Sequence, residues 1–252
     1  MLHRPALATA GLSFVVGGAR IIEDVTIDIA AGEFLGVIGP NGAGKTTLFN
    51  LLSGLLTPTS GQVWVGGADV TGWPASRRAR AGVGRTFQTS SVFPGLTVQE
   101  NVRLAAQARQ GGTLQVWRRV TGHGPAVTKA RECINLVGLI RRSEAQAGSL
   151  SHGDKRKLEL AILLATEPEI ILLDEPMAGI SAADVPELTA LIRQVHLEQH
   201  PTIVMVEHHM DVVLGLADRV AVMHHGSLLA VGTPAAVMAD DLVQEAYLGQ
   251  PL

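Results

Sequence analysis

One loop of this chain combines glycines, a lysine and a threonine at a spacing that suits phosphate binding. Residues 39–46 read GPNGAGKT and fit the pattern G-x-x-x-x-G-K-[ST] without a mismatch. Glycines let the backbone fold closely around phosphates with its N–H groups pointing inward. Lys45 would reach the β- and γ-phosphates, and the Thr46 hydroxyl would ligate Mg²⁺. The predicted contacts of a nucleoside triphosphate are therefore Gly39, Pro40, Asn41, Gly42, Ala43, Gly44, Lys45, Thr46 and Thr47.

The sequence around this loop predicts a strand before it and a helix after it. The apolar run at 34–38 precedes the loop, and a run with helical character at 47–52 follows it. A helix that begins at the loop adds the positive end of its dipole to the phosphate site. The alternative is a glycine-rich turn without a ligand, and the agreement between motif and context argues against that interpretation.

A second segment supplies two carboxylates. Four apolar residues at 170–173 are followed by Asp174 and Glu175, which is the pattern of a Walker B strand. Asp174 at the tip of the strand would hold Mg²⁺ through water. Glu175 would face the γ-phosphate and polarise the attacking water. An ordinary strand that ends in surface acids is the alternative, and the phosphate loop earlier in the chain makes it the weaker one.

Composition excludes several classes of protein. The chain has 252 residues, of which 46% are hydrophobic and 17% are charged. No apolar run approaches the ~18 residues of a membrane span, and no apolar segment near the N-terminus predicts a signal peptide. The net charge of −3 argues against a non-specific nucleic-acid binder. Cys133 is the single cysteine, so an internal disulfide is excluded, which suits the cytosol.

Strands and helices alternate along most of the chain, which predicts an α/β fold with a mostly parallel sheet covered on both faces. We expect one domain, with a nucleotide-binding core at about 1–88 and 165–232, a helical subdomain at about 89–164 and C-terminal helices at 233–252. The predicted strands cover 12–16, 21–29, 34–38, 63–65, 170–173, 202–206, 219–223 and 228–231, and a further strand at 85–88 runs into a loop. The predicted helices cover 47–52, 77–81, 97–109, 126–139, 151–165 and 183–198, with another from about 209 and two short ones at the C-terminus.

The predicted helix at 151–165 opens with a recognisable segment. Residues 150–154 read LSHGD, in which Ser151 is a good N-cap and Asp154 adds a carboxylate to the first turn. A capped helix without further function is the alternative that physics alone leaves open. With the two earlier motifs in order, however, the chain resembles the ATP-binding cassette (ABC) family, whose signature reads L-S-G-G-Q at this point. Ser151 and Gly153 match that signature.

The resemblance implies a role for this segment in a second subunit's site. Ser151, His152 and Gly153 would bind the γ-phosphate of the ATP held by the partner, for which a helix N-terminus is physically suited. His152 and Asp154 depart from the family signature. We expect the Asp154 carboxylate to face its helix, or Lys155 and Arg156, rather than the nucleotide.

Two further landmarks of the family fall in order. Gln88 resembles the glutamine that contacts Mg²⁺ and senses the membrane partner, and His208 resembles the switch histidine that hydrogen-bonds the γ-phosphate. On its own, His208 would be interpreted as a surface histidine. His209 and the pair His224-His225 do not form a convincing tetrahedral set, so we expect no metal besides Mg²⁺.

The resemblance covers nearly the whole chain and favours one subgroup, the ATPases of branched-chain amino-acid uptake and their urea or amide relatives. The supporting segments are 84–88, 150–154, 175–179, 207–211 and 246–249. It implies a P-loop NTPase fold with an N-terminal antiparallel β portion and an inserted helical subdomain. It also implies ATP and Mg²⁺ as cofactors, and a peripheral position at the cytoplasmic side of the inner membrane.

The implied partners are other proteins and not nucleic acid. The chain would form a homodimer, or a heterodimer with a paralogous ATPase, that encloses two ATP molecules. Two membrane permease subunits and, indirectly, a substrate-binding protein complete the assembly. The alternatives are the ATPase of an ABC exporter or lipid-transport system, and a soluble ABC protein. A single cassette without long heptads argues against the soluble class.

Two positions differ from the family pattern. Val16 occupies the place of the aromatic residue that stacks on adenine, and Phe14 lies two residues earlier on the same predicted face. Ser181 stands where the loop after Walker B commonly ends in Asp.

Between these positions in the sequence, the segment 89–96 is unusually apolar for a loop. It either folds back onto the helical insert or forms a groove, including Phe93, for a short cytoplasmic helix of the permease.

Overall fold

The computed structural model describes residues 4–86, 92–109 and 124–248. These residues form two compact units, and the chain passes between them several times. The first unit holds residues up to Arg85, Glu169–Glu175 and the chain from Ile192 onward; the second holds Thr86–Pro168 and Pro176–Leu191. None of the helices in the described ranges is long and apolar enough to span a membrane. The predicted Mg²⁺ contact Gln88 lies outside the described residues.

Strands and helices alternate as predicted, with one additional short strand. The strand predicted at 85–88 lies earlier, at Val83–Arg85, and the last two residues of the prediction lie outside the described ranges. In chain order the elements are β1 (Leu7–Val16), β2 (Ala19–Ile29), β3 (Phe34–Ile38), α1 (Lys45–Ser53), β4 (Ser60–Val65), β5 (Ala68–Asp69), α2 (Ala75–Arg80), β6 (Val83–Arg85), α3 (Val98–Arg109), α4 (Pro125–Leu136), α5 (His152–Ala165), β7 (Ile170–Asp174), α6 (Val185–Gln199), β8 (Thr202–Val206), α7 (Met210–Leu216), β9 (Arg219–His224), β10 (Ser227–Gly232), α8 (Pro234–Met238) and α9 (Asp241–Leu248). Short 3₁₀ turns lie at Ile140–Arg142 and Ala147–Ser149. The sequence did not predict β5, which is only two residues long.

A six-stranded sheet forms the centre of the first unit. Its order is β10-β9-β3-β8-β7-β6, in which β10 is antiparallel to β9 and the other neighbours are parallel. The strands β3, β7 and β8 are buried along their whole length, which explains why they are continuous apolar runs in the sequence. Because β3, β8 and β7 are neighbours and run parallel, the loops that follow these three strands leave the same edge of the sheet.

The same unit contains a smaller antiparallel sheet. Its four strands follow the order β2-β1-β4-β5. Side chains from this sheet, including Leu12, Ile22 and Val25, form one apolar core with Phe49 of α1 and with residues of the central sheet. The phosphate-loop helix is therefore enclosed by both sheets. The predicted mostly parallel sheet and antiparallel N-terminal portion are confirmed.

A fully buried arginine holds the C-terminal end of α1. Arg78 of α2 donates to the carbonyl oxygens of Leu51 and Leu52 at 2.6 and 2.8 Å. It also donates to the carbonyl oxygens of Thr71 and Trp73 at 3.0 and 3.2 Å. Burial lowers the pKa of Arg78. A cation at a helix C-terminus interacts favourably with the dipole and satisfies carbonyls that lack helical partners. Arg78 thus fixes the far end of the helix that begins at the phosphate loop.

The second unit is mainly helical. Its helices α3, α4 and α5 bury Val102, Ala130, Ile134 and Leu158. The pattern at 126–139 predicted a longer α4, but the helix ends at Leu136 because Gly138 adopts a positive φ of 75°. Burial raises the pKa of the Cys133 thiol in α4 to about 11. A helical unit within an otherwise α/β chain completes the predicted fold class.

Replacement of Arg78 by Met should destabilise the protein by about 3 kcal/mol, because it leaves buried carbonyls without their charged donor. Urea unfolding of the full chain measures this. The matched control is Arg80→Met, which removes an exposed arginine from the same helix and should change the free energy of unfolding by less than about 0.5 kcal/mol. Equal unfolding midpoints for the two variants would contradict the role of Arg78.

Candidate functional site

The glycines of the phosphate loop are required either by close neighbours or by a left-handed backbone conformation. A Cβ on Gly39 would lie 2.2 Å from the carbonyl oxygen of Met223, and Gly39 has a φ of 152°. A Cβ on Gly44 would lie 2.8 Å from Ile22 Cδ1, at a φ of 97°. A side chain at either position would therefore displace the neighbouring strands. A Cβ on Gly42 would meet no atom within 4 Å, so this glycine serves the left-handed conformation of the loop, at a φ of 81°.

Lys45 is held over this loop by the backbone. The side chain is buried, and its Nζ donates to the carbonyl oxygens of Gly39 at 2.6 Å and Pro40 at 2.9 Å. Burial lowers the pKa of Lys45, while the Glu175 carboxylate acts in the opposite direction. The ammonium group is thus positioned beside the loop backbone, where it can pair with a phosphate.

The N-terminus of α1 presents its backbone to the loop. Thr46 and Thr47 lie half-buried in its first turn. Within the described residues, the helix begins without a side-chain cap and without an acidic residue in that turn. The first N–H groups of a helix have no intrahelical partner and carry a partial positive charge. An anion at the loop would therefore be bound by these N–H groups and by the helix dipole.

Asp174 at the end of β7 forms a buried ion pair. Its Oδ2 lies 2.6 Å from Nη2 of Arg85, the last residue of the neighbouring strand β6. Arg85 Nη1 also donates to Asn50 Oδ1 at 2.8 Å and Ser53 Oγ at 2.9 Å, both on α1. Burial raises the pKa of Asp174, and the guanidinium of Arg85 opposes that shift. Arg85 therefore connects the carboxylate predicted to hold Mg²⁺ to the phosphate-loop helix.

The structure brings the two predicted catalytic residues into contact. Glu175 Oε1 lies 3.0 Å from His208 Nε2, and the Glu175 N–H donates to the carbonyl oxygen of Val206 at 2.9 Å. Glu175 has a positive φ of 49°, a conformation that costs a residue with a Cβ about 1–2 kcal/mol. The fold maintains this strained residue directly after β7, where its carboxylate reaches the loop after β8.

Two charged residues of the site were missed as contacts by the sequence analysis. Arg85 and Glu207 belong to the family segments 84–88 and 207–211, which predict no contact for either side chain. Glu207 is buried, and its Oε2 accepts the N–H groups of His208 and His209. Arg85 is the last residue of β6, and Glu207 directly follows β8 in the parallel sheet. A charged residue directly at the end of a buried strand is the signal that could have identified them.

The oxygen ligands that the sequence predicts for Mg²⁺ suit that ion. Thr46 supplies a hydroxyl at the start of α1, and Asp174 supplies a carboxylate at the end of β7. Mg²⁺ prefers such hard oxygen donors and is usually held by one or two carboxylates together with phosphate oxygens. The donor set of the described residues therefore fits the ion.

The signature segment begins α5 in the second unit. Ser151 and His152 are exposed, and Ser151 Oγ accepts the N–H of Asp154 at 3.1 Å as an N-cap. The Asp154 carboxylate pairs with Arg142 at 2.7 Å and lies 3.9 Å from Lys157. It does face its own helix, but its partners are these two cations rather than the expected Lys155 and Arg156.

A pocket of about 200 Å³ lies beside this helix N-terminus. Gly153 and Asp184 are among its lining residues. A Cβ on Gly153 would lie 3.2 Å from Asp184 Oδ2, and Ser181 Oγ donates to the same oxygen at 2.7 Å. The serine that departs from the family pattern is thus bonded to an acid three residues later in the chain.

Val16 is the exposed residue at the predicted adenine position. It ends β1 with 55% of its surface exposed, whereas Phe14 is partly buried and packs against the apolar core of the first unit. Phe14 is therefore less accessible than Val16 for stacking on a base.

Comparison with known proteins places these features in one family. The model of the family "ABC transporter" matches residues 22–178, and that of "Branched-chain amino acid ATP-binding cassette transporter" matches residues 227–251. The high-affinity branched-chain amino acid transport ATP-binding protein LivG of Escherichia coli K12 is 37% identical over 99% of this chain and 100% of its own length. The corresponding protein BraF of Pseudomonas aeruginosa is 35% identical over the same shares of both chains. A solved structure of MJ1267, an ATP-binding cassette of an ABC transporter in its ADP conformation, has a similar fold, with a TM-score of 0.85 and 28% sequence identity. The match covers 98% of this chain and 100% of the MJ1267 chain.

Proposed function

Because this chain belongs to the ABC transporter family, we propose that it is the ATP-hydrolysing subunit of an importer of branched-chain amino acids or of related small amides such as urea. ATP binding and hydrolysis are the activity of this family. The solute class is supported by the names of LivG and BraF and by the family model that matches the C-terminal residues. One observation supports the chemistry: Glu175 after β7 lies 3.0 Å from His208 after β8, and β8 is also the sheet neighbour of β3, which the phosphate loop of Lys45 follows.

We infer the following roles for these residues. Lys45 and the N–H groups of α1 bind the phosphates of ATP, while Glu175 accepts a proton from the water that attacks the γ-phosphorus. His208 contacts Glu175 and would hydrogen-bond the γ-phosphate. Thr46, Asp174 and Gln88 would hold Mg²⁺, which neutralises charge on the β- and γ-phosphates when bound. Val16 would contact the adenine as an aliphatic side chain.

The signature supports a two-chain site. Ser151, His152 and Gly153 begin α5, and their helix N-terminus is suited to a phosphate. As in the family, we propose that they serve the ATP held by a second subunit, either another copy or a paralogous ATPase. Hydrolysis would then separate the two chains and drive two permease subunits at the cytoplasmic face of the inner membrane, supplied by a substrate-binding protein.

Phe93 is the proposed contact with the permease. Its side chain is 59% exposed, while its backbone is fixed by the buried Asn101 of α3. Asn101 Oδ1 accepts the Phe93 N–H at 2.8 Å, and its Nδ2 donates to the carbonyl oxygens of Phe93 at 3.1 Å and Thr97 at 2.9 Å. An exposed ring on a backbone held in this way can bind an apolar helix with little ordering cost. Val92 and Leu96 are only half-buried and would widen this surface.

Two substitutions should separate ATP binding from hydrolysis. Lys45→Ala should abolish ATP binding, because the cation that pairs with the phosphates is lost. Glu175→Gln should retain binding but lower kcat by about 100-fold or more, because an amide cannot accept the proton. Calorimetric titration with ATP and phosphate release by the assembled transporter measure the two steps. Glu198→Gln, at an exposed position of α6, is the control, and parental turnover in Glu175→Gln would exclude Glu175 as the base.

Ser151→Arg should prevent ATP-dependent dimerisation without preventing ATP binding to the monomer. The long side chain of arginine would occupy the place of the partner's γ-phosphate at the start of α5. Sedimentation of the Glu175→Gln chain with ATP, alone and with its paralogue, should show a dimer that Ser151→Arg abolishes. Ser76→Arg, at an exposed position of α2, should leave the dimer intact. A chain that stays monomeric with ATP at high concentration, even with its paralogue, would refute the two-chain site.

Phe93→Asp should weaken assembly with the permease while the chain still folds and binds ATP. A carboxylate on an apolar contact surface loses the burial of the ring and must be desolvated. Co-purification with the permease and circular dichroism of the separate chain measure the two properties. Leu197→Asp is the matched control, because Leu197 is also an exposed apolar residue, at 62%. Normal assembly and transport by Phe93→Asp would refute this docking surface.

A further inference from the structure

We infer that Glu207 is a positioning residue that holds the loop of His208 so that the imidazole stays within reach of Glu175. The inference deepens the proposed function, because it rests on the catalytic roles proposed for His208 and Glu175. Glu207 accepts hydrogen bonds from the backbone N–H groups of the two residues that follow it. Its effect would be transmitted through the backbone of the residues that follow it.

The first observation is the burial of the carboxylate and the donors that surround it. Only 2% of the Glu207 side chain is exposed. Its Oε2 accepts the N–H of His208 at 2.8 Å and that of His209 at 3.4 Å, and it lies 3.2 Å from His209 Nδ1. A buried carboxylate is tolerated only where hydrogen-bond donors compensate for lost hydration. The donors described here include the N–H groups of the next two residues of the chain, so the carboxylate holds the backbone directly after β8.

The second observation is the exposure of the His208 ring. Its side chain is 47% exposed, and its Nε2 lies 3.0 Å from Glu175 Oε1. A ring that is nearly half exposed is held less by packing than a buried ring would be. Its position therefore depends on the backbone from which it projects, and Glu207 is bonded to the N–H of that residue.

The third observation is how the chain is held on either side of Glu207. The carbonyl oxygen of Val206, at the end of β8, accepts the N–H of Glu175 at 2.9 Å. Glu175 is thus attached to the strand that Glu207 follows. At the other side, α7 begins at Met210 with His209 as N-cap and, among the described residues, without a side-chain bond at that cap. The Glu207 carboxylate is therefore the side chain that joins the fixed end of β8 to the loop before α7.

A carboxylate is better suited to this task than a neutral group. Hydrogen bonds from N–H groups to an ionised acceptor are about twice as strong as neutral ones. Glutamine in its place keeps the length of the side chain and one acceptor oxygen, but it loses the charge. Alanine removes every acceptor. Glutamine should therefore weaken the hold on the loop in part and alanine should remove it, while His208 itself is unchanged in both variants.

The experiment measures ATP hydrolysis by the assembled transporter that contains the full chain. Glu207→Ala should lower kcat by about 10- to 100-fold, the range expected for a misplaced catalytic group, while KM for ATP changes by less than about twofold. Glu207→Gln should lie between Glu207→Ala and the parent. His209→Ala is the matched control, because it removes the ring contact but keeps both backbone N–H groups, and it should be close to the parent.

The double variant Glu207→Ala/His208→Ala tests whether Glu207 acts through His208. It should hydrolyse ATP as slowly as His208→Ala alone, because a histidine that is absent cannot be misplaced. Independent, multiplying losses of kcat would overturn the inference, as would a parental kcat in Glu207→Ala. A Glu207→Ala chain that loses ATP binding as strongly as turnover would also overturn it, since that result indicates general structural damage.

Two further results keep the inference separate from the proposed function. If Glu207→Ala does not fold, Glu207→Gln and Glu207→Gln/His208→Ala are compared in the same way. If His208→Ala hydrolyses ATP at the parental rate, the catalytic role of His208 is wrong and the inference falls with it. Loss of turnover in His208→Ala with no change in Glu207→Ala and Glu207→Gln would overturn the inference alone and leave the proposed function standing.

Discussion

The order of three buried parallel strands, β3-β8-β7, is the constraint on which the site depends. Parallel strands have their carboxyl ends at one edge of the sheet, so the loops after them meet there, where open α/β sheets bind their ligands. The phosphate loop follows β3, His208 follows β8 and Glu175 follows β7. This arrangement brings Glu175 and His208 to 3.0 Å although 33 residues separate them in the sequence. The fold thus creates a site from residues that no local pattern could bring together.

Buried charges tie this edge of the sheet to the rest of the first unit. Arg85 joins Asp174 to Asn50 and Ser53 of α1, and Arg78 holds the opposite end of the same helix. Removing one partner of a buried pair typically costs about 3–5 kcal/mol, because the other charge is left without compensation. The phosphate-loop helix is therefore fixed at its C-terminal half by cations of β6 and α2, while its N-terminal N–H groups face the loop. Such rigidity favours a preorganised phosphate site.

Local pattern predicted the elements, and tertiary placement determined most of the contacts that the sequence missed. The apolar runs at 34–38 and 202–206 were predicted as strands with the observed bounds, and the run at 170–173 falls one residue short of the end of β7, because buried parallel strands are continuous apolar segments. The spacing at 126–139 overestimated α4, since periodicity does not reveal the left-handed conformation of Gly138. The pairing of Asp154 with Arg142 was missed because the partner comes from a separate turn. Glu207 was missed as a contact because its donors are backbone N–H groups, which every sequence offers equally.

The departures from the family pattern in the signature region are compensated within the second unit. An aspartate in the first turn of α5 would repel a phosphate if its charge faced the helix end. Arg142 and Lys157 instead neutralise Asp154 from the side, while its N–H still binds Ser151 Oγ. A serine that accepts a bond as an N-cap keeps its own O–H as a donor, which is the polarity that a phosphate oxygen requires. In the same way, Ser181 gives up the carboxylate of the family loop but donates to Asp184 beside Gly153. In this unit the Asp154 charge is therefore paired with neighbouring cations, and the start of α5 keeps its N–H groups and the Ser151 hydroxyl as donors, as the proposed two-chain site requires.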